Sequence, residues 1–345
     1  PMASNIATIV WLGMASILSV VSTKGYKRAS RIFAMRGLTR FPGEDGLELD
    51  RFYRGDSIRK GVSDVYRATV ISDGTEVIWK QAREIEHGGK KIDMDKANEI
   101  IQNEIEIISA IQTHGRVPKI IDSGYIYEGR KKINVIVMER IEGPMLKDYL
   151  SEKSSLFLQE VMDISLQICE ILEFMAERDP PTFHRDLKDT NVIMRPGFGV
   201  VLIDYGTSKE IDTGDSISLS LGAGSQGWMP PERSLETPLS GSYTDVYGMG
   251  VMLWHLISMR SPGKLDKIQK SRSSYLEEET VKSDISEKGH PKWIEDLILD
   301  AIYRPDELFI DDKQIGEADF KSSLKMLTIF QFKSRIEKHR HDWGG

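Results

Sequence analysis

The segment "FHRDLKDTNVIM" (183–194) sets a dense group of polar side chains between apolar flanks. Within eight residues it carries an imidazole, two cations, a carboxylate and an amide, contributed by His184, Arg185, Lys188, Asp186 and Asn191. Such a grouping indicates a loop that binds a charged ligand. Asp186 could accept the proton of an attacking hydroxyl, and Asn191 could bind a hard cation through its amide oxygen. Lys188 could balance anionic charge during a transfer.

Two further segments offer partners for this loop. "VLIDYG" (201–206) ends an apolar strand in Asp204, and a simple strand-end turn would also explain it. A Mg²⁺ site shared with the amide of the first segment is the more economical interpretation. "EVIWK" ends another apolar strand in Lys80, to which Glu104 on the following helix offers an ion pair. A positioned nucleophile, a divalent metal and spread positive charge are the requirements of phosphoryl transfer.

Composition narrows the class of protein. The 345 residues allow two domains or one domain of two lobes. The net charge of −7, from 46 basic and 53 acidic side chains, argues against a nucleic-acid partner, which usually requires a strongly basic domain. Cys169 is the single cysteine, so an internal disulfide is excluded. Its apolar helical surroundings favour a buried thiol over a nucleophile.

Hydrophobic periodicity divides the chain into a β-rich part and a helical part. Short runs that alternate or are fully apolar predict strands at 64–72, 75–81, 123–129 and 132–140. A helix interrupts them at 95–115, and "SDGT" (72–75) predicts a hairpin turn. After about residue 145 the pattern is mostly helical, for example at 157–178, 243–259 and 292–302. The two parts are expected to join near 138–144.

Taken in order, these segments resemble the eukaryotic-type protein kinase family over roughly residues 50–305. The matching segments are "EVIWK" (76–80), "NEIEIISAIQTH" (103–114), "VIVMERIEG" (135–143), "HRDLKDTN" (184–191), "DYG" (204–206), "GSQGWMPPE" (224–232), "DVYGMG" (245–250) and "RPDE" (304–307). The resemblance implies an α+β, bilobal kinase fold. Its N-terminal lobe would be small and β-rich with one long helix, and its C-terminal lobe larger and mostly helical. ATP and Mg²⁺ would be the cofactors.

The resemblance also assigns roles to individual residues. Asp186 would be the catalytic base or hydroxyl-orienting residue, Lys188 would neutralise the γ-phosphate, and Asn191 and Asp204 would bind Mg²⁺. Lys80 would hold the phosphates and be held by Glu104. The remaining expected nucleotide contacts are Gly61 in the phosphate loop, Val65 and Ile193 around adenine, Ile78 above it, Met138 at the gatekeeper position, and backbone groups of Glu139 and Ile141. In the motif of "DVYGMG", Asp245 would tie down the catalytic loop, and Arg304 would pair with Glu232.

Three departures from the family pattern leave a second interpretation open. The phosphate loop "RKGVSDVYRA" has only Gly61, with Ser63 near the last expected glycine, and it is a residue short. Ile78 replaces the usual alanine above adenine, and Tyr205 replaces phenylalanine. The first two would weaken nucleotide binding, so the alternative is a pseudokinase that acts as a scaffold or binding module. A small-molecule kinase of the aminoglycoside type is disfavoured by "GSQGWMPPE", which would shape a peptide platform.

Substrate and regulation follow from the same resemblance. Lys188 and Ser225 resemble serine/threonine kinases, whereas Trp228-Met229 resembles the tyrosine-kinase and tyrosine-kinase-like groups; we expect a serine/threonine protein kinase with protein substrates. Arg185 and Lys209 together could bind a phosphate on the loop 210–222, with Ser218 or Ser220 as the expected autophosphorylation site. Alternatively, Arg185 only pairs with a carboxylate and the serines are ordinary loop residues.

The termini carry their own expectations. Residues 6–21 contain no charge and are followed by six Lys or Arg in 24–40, which favours a membrane anchor with the kinase domain in the cytoplasm. A helix that packs on the protein or on a second copy as a homodimer, and a targeting peptide, stay open. The C-terminal stretch 320–343 is expected to be helical with a stripe of Phe320, Leu324, Leu327 and Phe330 packed on the core. "EKHRHD" (337–342) could bind a metal, but a solvated charged helix end is favoured. The expected domains are 1–23, 24–50, 51–139, 140–319 and 320–345.

Overall fold

The protein is described by a computed structural model over residues 51–61, 63–87, 90–210, 227–230, 242–265, 276–303, 309–310, 313–314 and 327–343. The chain divides into two compact units. Within the described ranges, the first unit holds the residues up to 101 together with 121–138. The second holds 102–120 and the residues from 139 onward.

The first unit is built on a five-stranded sheet of order β1-β2-β3-β7-β6. Its strands are β1 (Phe52–Lys60), β2 (Ser63–Val70), β3 (Glu76–Ala82), β6 (Ile120–Glu128) and β7 (Lys131–Glu139). A separate antiparallel pair consists of β4 (Ile85–His87) and β5 (Lys90–Ile92). The four strands that the sequence predicted are all present, and β2 and β3 form the expected hairpin through the turn at 71–75.

The register of the β2–β3 hairpin sorts side chains onto two faces. Val65 lies opposite Lys80, and Arg67 lies opposite Ile78, so these four side chains share one face of the sheet. The other face is closed by Trp79, which is fully buried. The side chains of β3 therefore alternate between the core and the candidate nucleotide-binding face.

Strand β1 was not predicted from the sequence. It pairs with β2 from Phe52↔Val70 to Lys60↔Asp64, with register shifts on both sides of Ser57. These irregularities break the two-residue alternation by which a strand is recognised. Because β1 ends at Lys60 and β2 begins at Ser63, the connection between the two strands is confined to residues 61–62.

Helix α1 (Met94–Ile111) confirms the predicted helical segment at 95–115. The carboxylate of Asp93 accepts a 2.9 Å hydrogen bond from the backbone N–H of Lys96 and so caps its first turn. Ile101, Ile108 and Ile111 are buried along one face, as the helical spacing of the isoleucines predicts. The two units divide the helix after Ile101.

The second unit is mostly helical. Its helices are α2 (Leu146–Ser151), α3 (Leu158–Ala176), α4 (Ser242–Ser258), α5 (Glu278–Glu287), α6 (Lys292–Ile302) and α7 (Ile329–Lys338). Its strands are β8 (Thr182–Phe183), β9 (Val192–Arg195), β10 (Gly199–Leu202), β11 (Lys209–Glu210), β12 (Phe309–Ile310) and β13 (Lys313–Gln314), which form the pairs β8–β11, β9–β10 and β12–β13.

Helix α4 is the centre of the second unit. It is buried from Tyr243 to Ser258 and contacts α3, α5, α6 and α7. Gly250 permits this close packing, because a Cβ there would lie 2.8 Å from the Cβ of Ala301. A helix that is apolar on all sides is the expected core element of a large helical unit.

The C-terminal helix corrects part of the predicted stripe. α7 packs on α3, α4 and α6, as expected for core packing, but Phe330 is 42% exposed. The buried face is instead formed by Ile329, Phe332 and Ile336. Thr328 caps the helix in a capping box with Gln331, which starts the helical phase there. Phe320 and Leu324 lie outside the described residues.

The predicted α+β architecture is confirmed: a β-rich N-terminal lobe with one long helix, and a larger helical C-terminal lobe. Among the described residues, no helix has both the length and the apolar character needed to cross a bilayer. Residues 1–50, and with them the predicted anchor and dimerisation helix, lie outside the described ranges. The five domain boundaries stay predictions.

Candidate active site

The polar loop at 184–191 is held by hydrogen bonds to a carboxylate of helix α4. Asp245, in the first turn of that helix, accepts hydrogen bonds from the backbone N–H groups of His184 at 2.8 Å and Arg185 at 2.6 Å. Burial raises the pKa of Asp245, an effect that His184 and Arg185 oppose. Arg185 has a φ of 67°, in the left-handed region. The carboxylate thus holds a strained backbone residue directly before Asp186.

Asp186 is held by two side chains of its own loop. The Nζ of Lys188 lies 2.5 Å from Oδ2 of Asp186, and Nδ2 of Asn191 donates to the same oxygen at 3.1 Å. Nδ2 also donates to the backbone carbonyl of Asp186 at 2.8 Å. Both side-chain donors contact Oδ2, so within the described part of the chain Oδ1 of this partly exposed carboxylate is left to interact with another group. The sequence predicted that these three residues act together, and the structure brings them together.

The amide of Asn191 is oriented so that it could bind a metal. Its nitrogen is committed to Asp186, while its Oδ1 is buried and accepts no hydrogen bond within the described part of the chain. A buried acceptor without a donor is unfavourable unless a cation or water meets it. An amide oxygen is a suitable ligand for Mg²⁺. The orphaned oxygen therefore fits the predicted metal-binding role.

Asp204 follows β10 with a φ of 69°, the second left-handed non-glycine residue in this region. The backbone before it is fixed, because the N–H of Ile203 donates to the carbonyl of Asn191 at 2.9 Å. Nε2 of His184 lies 3.3 Å from the carbonyl of Ile203. The segment that carries Asp204 is thus joined directly to the segment that carries Asn191.

Tyr205 occupies the position at which phenylalanine was expected. Its ring is fully buried and lies edge-on to His184, with ring centroids 5.1 Å apart. Its hydroxyl donates to the carbonyl of Leu202 at 3.1 Å, which satisfies the added polar group. Burial raises the pKa of Tyr205 well above its usual value, and the nearby Glu104 raises it further. The hydroxyl therefore stays a neutral donor, and this departure leaves the loop intact.

Glu104 is fully buried on α1, within the second unit. Its neighbour Asn103 donates from Nδ2 to the backbone carbonyl of Ser208 at 2.8 Å. Ser208 in turn donates its hydroxyl to the carbonyl of His184 at 3.3 Å. Helix α1 is therefore joined to the segment after Asp204 by a direct side-chain contact.

The predicted hinge residues are positioned by a close chain approach. Gly143 has a φ of 123°, and a Cβ there would lie 2.1 Å from the carbonyl oxygen of Met194. Arg195 forms an ion pair with Glu139 at 3.4 Å. The N–H of Glu139 donates to the carbonyl of Lys119 at 2.8 Å, so the N–H is occupied and the carbonyl of Glu139 is the group that adenine could use.

The remaining predicted nucleotide residues lie in both units. In the second unit, Ile141 is buried and Ile193 forms a β-bridge with Met145. In the first unit, Lys80 is 6% exposed and Ile78 is half-buried on the same face of β3. The other first-unit residues are Gly61 in the β1–β2 connection, Val65 opposite Lys80, and Met138 at the end of β7.

A group that the sequence did not predict joins the catalytic loop to residues 227–230. His255 of α4 places Nδ1 2.6 Å from the carbonyl of Arg260, so Nδ1 carries the hydrogen. Its Nε2 lies 3.4 Å from Oδ2 of Asp189, and its ring meets Trp228 edge-on with centroids 5.4 Å apart. Because His255 lies in the apolar run "MLWHLIS", no local pattern singles it out.

Several predicted residues cannot be placed. Ser218, Ser220 and Ser225 lie outside the described residues, as do Glu232 and Arg304. Lys209 is described through its backbone, which pairs with Phe183 two residues before Arg185. The predicted phosphate-binding pair of Arg185 and Lys209 therefore stays a prediction.

Comparison with known proteins agrees with this geometry. The model of the protein kinase domain matches residues 59–335. Wall-associated receptor kinase-like 3 of Arabidopsis thaliana is 31% identical over 69% of this chain and 30% of its own length. Probable serine/threonine-protein kinase PknB of Corynebacterium glutamicum is 26% identical over 59% of this chain and 30% of its own length. Serine/threonine-protein kinase cds1 of Schizosaccharomyces pombe is 27% identical over 56% of this chain and 43% of its own length. The chain thus spans less than half of each of these relatives.

Proposed function

This chain belongs to the protein kinase domain family, and from that premise we propose that it transfers the γ-phosphoryl group of ATP to serine and threonine hydroxyls of protein substrates. Relatives named as serine/threonine-protein kinases in two bacteria and a yeast support this choice of hydroxyl. The observation that carries the proposal is the arrangement of Asp186, with Oδ2 held by Lys188 and Asn191 and Oδ1 left for a substrate.

In this proposal Asp186 orients the substrate hydroxyl through Oδ1 and accepts its proton as the oxygen attacks. Two fixed donors on Oδ2 keep the carboxylate aligned, which limits the reorganisation needed during transfer. Lys188, at 12% side-chain exposure, supplies positive charge next to this carboxylate. We assign it the neutralisation of charge on the phosphoryl group in transit.

Asn191 and Asp204 are the proposed ligands of Mg²⁺. The orphaned Oδ1 of Asn191 supports the first assignment, and the fixed backbone contact between Ile203 and Asn191 supports the second. A bound Mg²⁺ would offset the negative charge of the phosphates during transfer. The left-handed φ of Asp204 fits a residue held in one functional conformation.

The residues to which we assign nucleotide binding are those that the family resemblance indicates. We propose that Lys80 holds the phosphates with Glu104 as its ion-pair partner, and that the backbone of Glu139 and Ile141 binds adenine. Val65, Ile78, Met138 and Ile193 would surround the base, and Gly61 would lie nearest the phosphates. The half-buried Ile78 would narrow the adenine site, so we expect a preference for ATP over bulkier base analogues.

The test is phosphate transfer from labelled ATP to a generic protein substrate in the presence of Mg²⁺. The Asp186→Asn variant is expected to lose at least about 10³-fold in rate, because it removes the group that orients the hydroxyl. Asp163→Asn is the matched control, since Asp163 is exposed on α3. Equal transfer rates for the wild type and Asp186→Asn would refute the assignment.

The alternative is a pseudokinase that serves as a scaffold with weak nucleotide affinity. The specific observation in its favour is the β1–β2 connection, which is confined to residues 61–62 and offers Gly61 as its only glycine. The same assay separates the two functions. A wild type no more active than Asp186→Asn, with ATP binding too weak to detect by calorimetry, would favour the scaffold.

Regulation by autophosphorylation is a further part of the proposal. The backbone of Lys209 pairs with Phe183, two residues before Arg185, and we propose Arg185 and Lys209 as the phosphate ligands. Ser218 and Ser220 are the expected acceptors, and Ser225 is expected to contact the catalytic loop near Asp186 and Lys188. Mass spectrometry after incubation with ATP should find phosphate within 210–225 in the wild type and none in Asp186→Asn. Phosphate-free peptides from an active wild type would rule it out.

Membrane contact through residues 1–40 is proposed from the apolar run and the basic residues that follow it. The test is flotation with anionic vesicles of the chain with and without residues 1–23. Only the longer form is expected to float, and equal behaviour of the two forms would exclude an anchor. A form that is dimeric in detergent only when residues 1–23 are present would instead support a helix that pairs two copies.

A further inference from the structure

A group of three potential metal ligands lies at the C-terminal end of α7. Nδ1 of His339 lies 3.1 Å from Oδ2 of Asp342, and Nε2 of His341 lies 3.1 Å from Oδ1 of the same carboxylate. The three ligand atoms all lie within 4.8 Å of one another. Two imidazoles thus converge on one carboxylate, each from its own side.

The position of His339 is fixed before any ligand binds. Its ring stacks on Trp293 of α6 with centroids 4.5 Å apart and an interplanar angle of 6°. The turn that follows is closed by the N–H of Asp342, which donates to the carbonyl of His339 at 2.9 Å. Because α7 itself packs on α3, α4 and α6, two of the three ligands are held by the fold.

The third ligand is free to adjust. Two donors bound to one tetrahedral Zn²⁺ at about 2.1 Å lie about 3.4 Å apart, so a pair of ligand atoms near the 4.8 Å limit of this group would have to approach by about an ångström or more. The side chain of His341 is 75% exposed, and its ring stacks on His339 with centroids 6.1 Å apart. Because this ring is exposed, it can rotate to close the group around an ion.

The donor set selects the kind of metal. Two imidazole nitrogens and one carboxylate suit Zn²⁺, whereas Mg²⁺ prefers a shell of oxygen atoms. Three protein ligands would leave a position for water or another small ligand. The guanidinium of Arg340, which lies between the two histidines in sequence, stacks over the ring of Trp343 at 5.3 Å.

From this geometry we propose that His339, His341 and Asp342 bind one Zn²⁺ ion. The site uses none of the residues assigned to phosphoryl transfer, and it would join the end of α7 to α6 through Trp293. The favoured expectation from the sequence was a solvated helix end. What changes that interpretation is the ring of Trp293, which the sequence does not place beside His339.

The proposal is tested by calorimetric titration of Zn²⁺ into the metal-free full chain, with any polyhistidine tag removed and Mg²⁺ in excess. The wild type is expected to bind one equivalent with a dissociation constant on the order of 10 µM or lower. His341→Ala should weaken binding by at least about a hundredfold, since it removes a direct ligand. His114→Ala is the control, because His114 lies outside the three-ligand group.

A folding defect would not account for weaker Zn²⁺ binding by His341→Ala, because the exposed His341 makes no contribution to the core. Metal-free His341→Ala should melt at the wild-type temperature, and added Zn²⁺ should raise the melting temperature of the wild type but not of this variant. Asp342→Asn should also lose binding while keeping its fold. Superimposable Zn²⁺ titrations of the wild type and His341→Ala would overturn the proposal, and so would a wild type that fails to saturate at one equivalent.

Discussion

The carboxylate of Asp245 accepts a 2.6 Å hydrogen bond from the backbone N–H of Arg185, a residue held at a φ of 67°. A non-glycine residue in the left-handed region costs on the order of 1–3 kcal/mol. A hydrogen bond to a buried charged group contributes about 1.5–3 kcal/mol. The two effects are of similar size, so the conformation of the loop depends on this contact.

Asp245→Asn should therefore destabilise the chain and disorder the catalytic loop. The amide can accept only one of the two backbone hydrogen bonds and brings its own N–H₂ toward a donor. We expect a loss of about 2–4 kcal/mol in urea unfolding and a fall in kcat larger than any change in KM for ATP. Asp163→Asn, on an exposed face of α3, should match the wild type. An unchanged kcat for Asp245→Asn would show that the contact is not needed for activity.

Gly143→Ala should disrupt the segment after Glu139. The added methyl group would lie 2.1 Å from the carbonyl oxygen of Met194, at a φ of 123° that alanine rarely adopts. A loss of at least about 2 kcal/mol in unfolding free energy is expected. Gly197→Ala is the control, because Gly197 has a φ of 70° but nothing within 4 Å of a built Cβ. Its expected loss is only about 1–2 kcal/mol, from conformational strain. Equal losses for the two variants would mean that the backbone at Met194 moves away from the added methyl group at little cost in free energy.

The buried face of α7 can be tested with two phenylalanines of the same helix. Phe332→Ala should lower the unfolding free energy by about 3–5 kcal/mol, because this side chain is fully buried. Phe330→Ala should lower it by less than about 1 kcal/mol, since that ring is 42% exposed. Chemical denaturation measures both. A larger loss for Phe330→Ala than for Phe332→Ala would mean that the apolar stripe predicted from the sequence is the buried one.

Asn191→Ala should alter the response to metal. It removes the unpaired Oδ1 and the two hydrogen bonds by which Nδ2 positions Asp186. We expect kcat to fall by at least about a hundredfold and the Mg²⁺ concentration for half-maximal activity to rise. Initial rates measured across a Mg²⁺ titration provide the check. A lower kcat with an unchanged Mg²⁺ requirement would leave Asn191 a role in positioning alone.

His114 predicts a pH dependence of stability. Burial lowers its pKa below 6.5, the charge of Arg116 lowers it further, and Glu170 opposes them. The unfolded chain therefore binds this proton more readily than the folded chain, so the contribution of His114 is complete above 6.5 and is lost as pH falls through the folded pKa. Urea midpoints should decline on acidification less steeply for His114→Gln than for the wild type. Parallel curves would contradict the shift.

Much of the fold could be predicted because its strands and helices are locally consistent. Helix α6 matched its predicted bounds at 292–302, since its apolar residues repeat at helical spacing. Strand β1 was missed because irregular pairing around Ser57 leaves no alternation to detect. The stripe on α7 was misplaced although "TIFQ" (328–331) contains the capping-box pattern that would have set the helical phase.

For the site, the sequence brought Asp186, Lys188 and Asn191 together because they share one loop. It could not find His255, since its partners Asp189 and Trp228 are set by tertiary packing. Trp254 is a similar case: its Nε1 donates to the buried Asp284 at 2.8 Å across two helices. Contacts between distant segments leave no periodic pattern, whereas contacts within one loop do.

The hydrogen bond from Asn103 to the carbonyl of Ser208 joins helix α1 to the segment after Asp204 at one point. Ser208 precedes the stretch where phosphate is expected to be added, and Asn103 adjoins Glu104. If modification draws that stretch toward Arg185, helix α1 must either turn with it or give up the bond. Asn103→Ala removes the amide that makes this bond. The position of Glu104 would then no longer depend on phosphorylation of the stretch after Ser208, and no residue to which ATP binding is assigned would be changed.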